Sequence, residues 1–116
     1  MNGKKNGKGK EYDLFNGNLE FEGEYLNGEK NGKGKEYYKG KIIFEGEYLN
    51  GEKNGKGKEY NYNGELTFEG EYKNGKRNGI GKEYDYKDSN LKFEGVYLND
   101  KKNGKGKEYY KGKIIF

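Results

Sequence analysis

FEGEYLNGEKNGKGKEY, at Phe21–Tyr37, recurs without change at Phe44–Tyr60. Looser copies begin at Phe68 (FEGEYKNGKRNGIGKEY) and Phe93 (FEGVYLNDKKNGKGKEY). NGKKNGKGKEY at residues 2–12 reads as the tail of a further copy, and Ile114–Phe116 as the start of another. Anchors Phe21, Phe44, Phe68 and Phe93 lie 23, 24 and 25 residues apart, a period that suits one supersecondary unit per repeat. The drift sits in the link after KEY, which reads YKGKII, NYNGELT and DYKDSNLK in turn. Length added at one place marks a surface turn. The chain is therefore expected to be a single array over residues 1–116.

Within the stretch the alternation has period two. Leu19, Phe21, Gly23 and Tyr25 share a parity, and so do Ile42, Phe44, Gly46 and Tyr48. The intervening positions are mostly glutamate. That pattern predicts a strand with one aromatic and one acidic face. Glycine recurs in every segment and costs about 1 kcal/mol against alanine in a helix, so helix is disfavoured. Asn-Gly pairs at 27–28, 50–51, 63–64 and 74–75 predict type I′ hairpin turns, because both residues tolerate positive φ. Tight links are expected at Asn16-Gly17, Lys39-Gly40 and Lys111-Gly112. Gly23, Gly46, Gly70 and Gly95 lie on the aromatic face between Phe and Tyr, where the ring of a neighbouring hairpin is expected to lie flat over bare backbone. The fold class is all-β: tandem antiparallel hairpins in one elongated, twisted, single-layer sheet.

Composition supports an array over an ordinary core. The hydrophobic fraction is 28% and the charged fraction 38%, a balance normally read as disorder. Thirteen Tyr and six Phe at periodic positions, with no Pro, argue for repeats that stack and cover one another. The net charge of +4 comes from 24 basic residues mixed with 20 acidic ones, which is not the footprint of a nucleic-acid binder. No apolar run reaches the length of a membrane span, and the first residues lack the apolar stretch of a secretory signal. The expected location is cytoplasmic, with or without peripheral attachment to a membrane.

The chemistry of catalysis is missing. The chain has no His and no Cys, and its hydroxyls besides Tyr are Thr67 and Ser89. Triad-type nucleophilic catalysis and Cys or His metal ligation are excluded. Paired carboxylates such as Glu22 and Glu24 recur in every repeat and read as a solvated strand face. NGKGKEY lacks the Ser/Thr and the helix of a phosphate-cradling loop. No enzyme activity, cofactor or metal is expected.

The candidate binding residues come from parity in the return strand. Lys35 shares a face with Tyr37, Lys58 with Tyr60, and Lys82 with Tyr84. With no bulge, these join Tyr48 and Tyr72 in an aromatic, lysine-lined groove, and the glutamates take the opposite face. Such a groove suits acidic protein segments, or anionic lipid headgroups at about 1 kcal/mol per basic residue near a membrane. The competing expectation is that these lysine stems merely cover rings. Open strand edges, with Ile114, Ile115 and Phe116 at one of them, predict self-association into homo-oligomers, or else that the chain is a piece of a longer array.

Phe44, Gly46, Tyr48, Gly51, Gly55 and Gly57 fall in the register Y-x-G-x-W-x-x-G-x-x-x-G-x-G, as do Phe21 to Gly34 and Phe68 to Gly81. On these motifs the chain resembles the MORN repeat (membrane occupation and recognition nexus) over essentially its whole length. The fourth copy departs at Asp100, where glycine is expected; Asp tolerates the left-handed region, so the turn is expected to survive. The resemblance implies an elongated array of hairpins with a long groove, used in membrane association, protein scaffolding and self-association. The expected function is a non-catalytic scaffold for protein partners, at membrane surfaces or away from them. The alternative is a direct binder of anionic headgroups.

Overall fold

A computed structural model describes residues 4–111 and 113–115. The expected links at Lys111-Gly112 and the terminal Phe116 lie partly or wholly outside the described residues. Ten strands follow one another: β1 (Gly7–Tyr12), β2 (Leu19–Leu26), β3 (Glu29–Tyr38), β4 (Lys41–Leu49), β5 (Glu52–Tyr60), β6 (Leu66–Lys73), β7 (Lys76–Tyr84), β8 (Leu91–Leu98), β9 (Lys101–Tyr110) and β10 (Lys113–Ile114). They form one antiparallel sheet in chain order, 55 × 28 × 18 Å overall. The sheet is open, and every neighbour in space is a neighbour in sequence.

The hairpin turns are those expected, with one exception. Asn27 and Gly28, Asn50 and Gly51, and Asn74 and Gly75 all have positive φ at both positions, the type I′ pattern. Asn99 and Asp100 do the same, so the Asp100 turn survives. Asn63-Gly64 is different. It lies in the link between β5 and β6, where only Gly64 has positive φ and Asn61 ties the loop by accepting from Asn63 and Glu65. The links carry the variable length: two residues between β3 and β4, but longer loops before β2, β6 and β8.

Each return strand holds a bulge that parity did not reveal. Gly23 pairs with Gly34 and Tyr25 pairs with Lys30, so β3 carries extra residues opposite Glu24. The same shift recurs between β4 and β5 and between β6 and β7. Gly32 sits in it at φ 106°, a conformation that L side chains rarely adopt. A second shift lies on the link side, where Glu36 pairs with Phe44 but Tyr37 with Ile42. Bulges bend a strand and sharpen its twist.

The core is a line of rings on one face. Phe21, Tyr25, Phe44, Tyr48, Phe68, Tyr72, Phe93 and Tyr97 are the buried side chains among the described residues. They form an unbroken edge-to-face chain: each Phe meets its own repeat's Tyr at 5.7–5.9 Å, and Phe21, Phe44 and Phe68 also meet the next repeat's Tyr at 5.2 Å. Beneath them a glycine ladder crosses the sheet from Gly9 through Gly23, Gly34, Gly46 and Gly57 onward. A Cβ on Gly34 would lie 2.5 Å from Phe21 Cζ and 3.0 Å from the next repeat's Tyr48. Above the rings sit cations: Lys30, Lys53, Arg77 and Lys102 lie 3.9–4.2 Å from the centroids of Phe21, Phe44, Phe68 and Phe93. Their stems do the covering that a second layer does in a sandwich.

A candidate binding trough

The register decides what shares a face. Glu36 pairs with Phe21 and Phe44, so glutamate stands beside the rings, not behind them. Lys35 pairs with Glu22 on one side and Glu45 on the other. The expected separation of charge by face therefore does not occur. Each face carries both signs, because antiparallel pairing sets the KGKE parity against the FEGE parity.

On the ring face the charges serve the core. Tyr48 and Tyr72 each donate to a glutamate of the preceding return strand, Glu36 and Glu59, at 2.5 Å, and Tyr97 donates to Glu83. Burial, then the hydrogen bond to the carboxylate, raises the pKa of these phenols and so suppresses their ionisation. Arg77 donates to both oxygens of Glu59 at 2.9 and 3.0 Å. Burial alone pushes the Glu59 carboxyl up, but Arg77 and Tyr72 together hold it below the usual range. Tyr48 and Tyr72 are thus core residues, on the face opposite Lys35, Lys58 and Lys82. The lysines over rings are those just past the turns, not Lys35, Lys58 or Lys82.

The opposite face holds a trough of about 1370 Å³ running from β1 to β7. Its floor is the glycine ladder, and the residues flanking each glycine form two rows. One row reads Lys10, Glu22, Lys35, Glu45, Lys58, Glu69, Lys82 across successive strands, an unbroken alternation. In the other row Lys8 pairs with Glu24, Lys33 with Glu47 and Lys56 with Glu71. Lys35, Lys58 and Lys82 do line this trough, and Tyr37, Tyr60 and Tyr84 lie at its side.

The trough glutamates are held by internal donors. Tyr37, Tyr60 and Tyr84 donate to Glu22, Glu45 and Glu69 at 3.0, 2.5 and 2.5 Å. Burial, then that bond, pushes Tyr60 and Tyr84 up to about 12. The backbone amides of Lys33, Lys56 and Ile80 donate to Glu24, Glu47 and Glu71 at 3.3, 3.1 and 3.0 Å, which ties the bulges down. Of the trough lysines, Lys10 has a carboxylate within ion-pair distance, Glu22 at 3.8 Å. The pair Glu22 and Glu24 is thus a structural fixture.

A third surface is the link edge. Leu14 and Phe15 are 95% and 98% exposed, and Tyr38, Tyr62, Tyr86 and Tyr110 are exposed beside them in the succession of links. Tyr38 and Tyr62 touch at 5.3 Å, and Lys39, Lys87 and Lys111 lie near their neighbouring rings. Sequence reasoning passed over this row; its signal was an aromatic or Leu just after KEY in each link. Among the described residues no carboxylate cluster fit for a metal occurs, and no helix is long and apolar enough to cross a membrane.

An open ladder of near-identical hairpins with a glycine floor defines a class, the β-hairpin repeat array. The chain belongs to the MORN repeat family, whose model matches residues 1–13, 21–41, 44–65, 68–89 and 93–113. MORN repeats are in general interaction modules for proteins and lipids, without catalysis of their own. A search of curated proteins finds no match.

Proposed function

We propose that this chain is a non-catalytic scaffold that holds protein partners along the trough. The observation that carries this reading is the alternation of charge along both rows. A uniformly anionic ligand lying there meets a glutamate at every second strand, about 4.8 Å from each lysine. Like charge at that spacing suppresses wrong partners, and opposite charge fixes register. A polypeptide of both signs matches the rows. The test is capture of partners by the wild type and by a Lys35→Glu, Lys58→Glu, Lys82→Glu variant, compared by mass spectrometry. Partners lost from the variant support the reading; an identical set sinks it.

Membrane attachment has a separate observation in its favour, the link edge. Leu14, Phe15 and the row of exposed tyrosines with neighbouring lysines have the amphipathic make-up of an interfacial anchor. Flotation with anionic vesicles distinguishes the two faces. Leu14→Asp with Phe15→Asp abolishes flotation if the edge inserts, and the triple trough variant abolishes it if lysines bind headgroups. Self-association through sheet edges is a third contact: β1 and β10 are the outermost strands among the described residues, and Ile114 and Ile115 are exposed. Light scattering at rising concentration tests it, a constant monomer mass being the contrary result.

A further inference from the structure

The trough is periodic, and a periodic site has no register of its own. A charged segment shifted by two strands meets the same Lys and Glu again. Among the described residues one cross-strand pair breaks this sameness. Where earlier copies place Lys33 against Glu47 and Lys56 against Glu71, the fourth places Ile80 against Val96. Both members changed together. Ile80 is 61% exposed and Val96 41%, so the pair is not recruited into the core.

The exchange also forfeits a contact. Glu47 and Glu71 accept the bulge amides of Lys56 and Ile80, and a Cβ on Gly55 or Gly79 would press on those carboxylates. Val96 has no carboxylate to offer Lys105, and nothing lies within 4 Å of a Cβ on Gly104. Beside the pair the first row runs on unbroken, with Lys82 paired to Glu94 and Glu94 to Lys107. The result is one apolar seat where the trough ends: Ile80 lines its last strand, and Val96 stands paired beside it on β8, bordered by charge.

We propose that the trough takes an extended, mixed-charge polypeptide segment with one apolar side chain seated on Ile80 and Val96, and that this seat sets its register and direction. The inference rests on the protein-binding reading of the trough. The shape of the trough points to a foreign segment over a second copy of the chain. The trough is concave, and concave faces leave a void between them. The segment must also carry both signs, which excludes a polyanion.

The probes are two peptides of repeating Glu-Glu-Lys-Lys, so that each face of the extended chain alternates in sign, one with a single Leu near one end, each carrying a terminal photo-crosslinker. They are measured by anisotropy against the wild type and an Ile80→Lys, Val96→Glu variant. That variant restores the pair found in the other repeats, so its fold is preserved, which circular dichroism checks. The expected result is about tenfold tighter binding of the Leu peptide by the wild type, with cross-links confined to one end of the trough. The variant binds both peptides alike and spreads the cross-links. Equal binding of the two peptides to the wild type overturns the seat and leaves the trough reading standing. Failure of both peptides to bind overturns both. A peptide-free dimer that the variant loses shows a second copy in the seat and overturns the proposal.

Discussion

Single atoms decide the glycine ladder. A Cβ on Gly57 would lie 2.6 Å from Phe44 Cζ and 2.9 Å from Tyr72. Both rings are wedged edge-to-face and cannot retreat. Gly57→Ala is expected to cost about 2 kcal/mol in urea unfolding, in the range of overpacked cores. Gly40→Ala meets no atom within 4 Å and pays only for its positive φ of 80°, about 1 kcal/mol. Equal losses at the two sites would show that packing is not what the ladder provides. The buried phenols give a pH dependence whose sign is fixed. Burial, then a carboxylate partner, raises Tyr48, Tyr72 and Tyr97 when folded, whereas an unfolded Tyr ionises near about 10. Their contribution is full below about pH 10 and is lost as pH rises above it. Phenolate absorbance of these residues is expected to appear together with loss of the circular dichroism signal. Glu59 behaves in the opposite sense: its lowered folded value adds stability above about pH 4.5 that is lost on acidification.

Among the elements, the turns clasp neighbouring hairpins. Gly28, Gly51, Gly75 and Asp100 donate their amides to the carbonyls of Lys5, Lys30, Lys53 and Arg77 one repeat earlier, at 2.8–3.0 Å. Asp100 adds a side-chain contact, accepting from the Arg77 amide at 2.8 Å. This explains an aspartate in a position that holds glycine elsewhere. Asp100→Gly relieves the positive φ of 72° but loses that bond, and the two effects are each about 1 kcal/mol. A net change within about 0.5 kcal/mol is expected. Asp100→Ala loses the bond and keeps the strain, so it should fall about 1 kcal/mol lower. Identical melts for the two variants would contradict this account of the turn.

For the whole molecule, consecutive pairing has a mechanical consequence. Every contact joins a hairpin to its neighbour, so stability is a sum of units and interfaces. Phe68 touches Tyr72 within its repeat and Tyr97 in the next. Phe68→Ala, at about 3–5 kcal/mol, should abolish hydrogen-exchange protection in β6, β7 and β8 first. β2, β3 and β4 should keep theirs. Uniform loss along the chain would reveal a cooperative unit larger than the nearest neighbour.

The repeat, its strand content and its type I′ turns other than Asn63-Gly64 were legible in the sequence, because each follows from residues close along the chain; the glycine that takes the next hairpin's ring was not, being Gly34 on the return strand and not Gly23. Asn27-Gly28 specifies its turn locally, and Phe21, Gly23 and Tyr25 share a face by alternation alone. Membership of the MORN family was legible for the same reason. What the faces carry was not. Whether Glu36 stands with Phe21 or against it depends on how β2 pairs with β3, and a one-residue difference in pairing reverses every side chain. The bulge at Gly32 is likewise invisible to parity, since nothing in NGKGK says which glycine provides the positive φ and which the bare surface. Tertiary pairing alone moved Tyr48 and Tyr72 into the core, set Lys30 over Phe21 and gathered lysine and glutamate into one trough. Local chemistry determined the unit, and the register between units, a long-range property, decided the surface it presents.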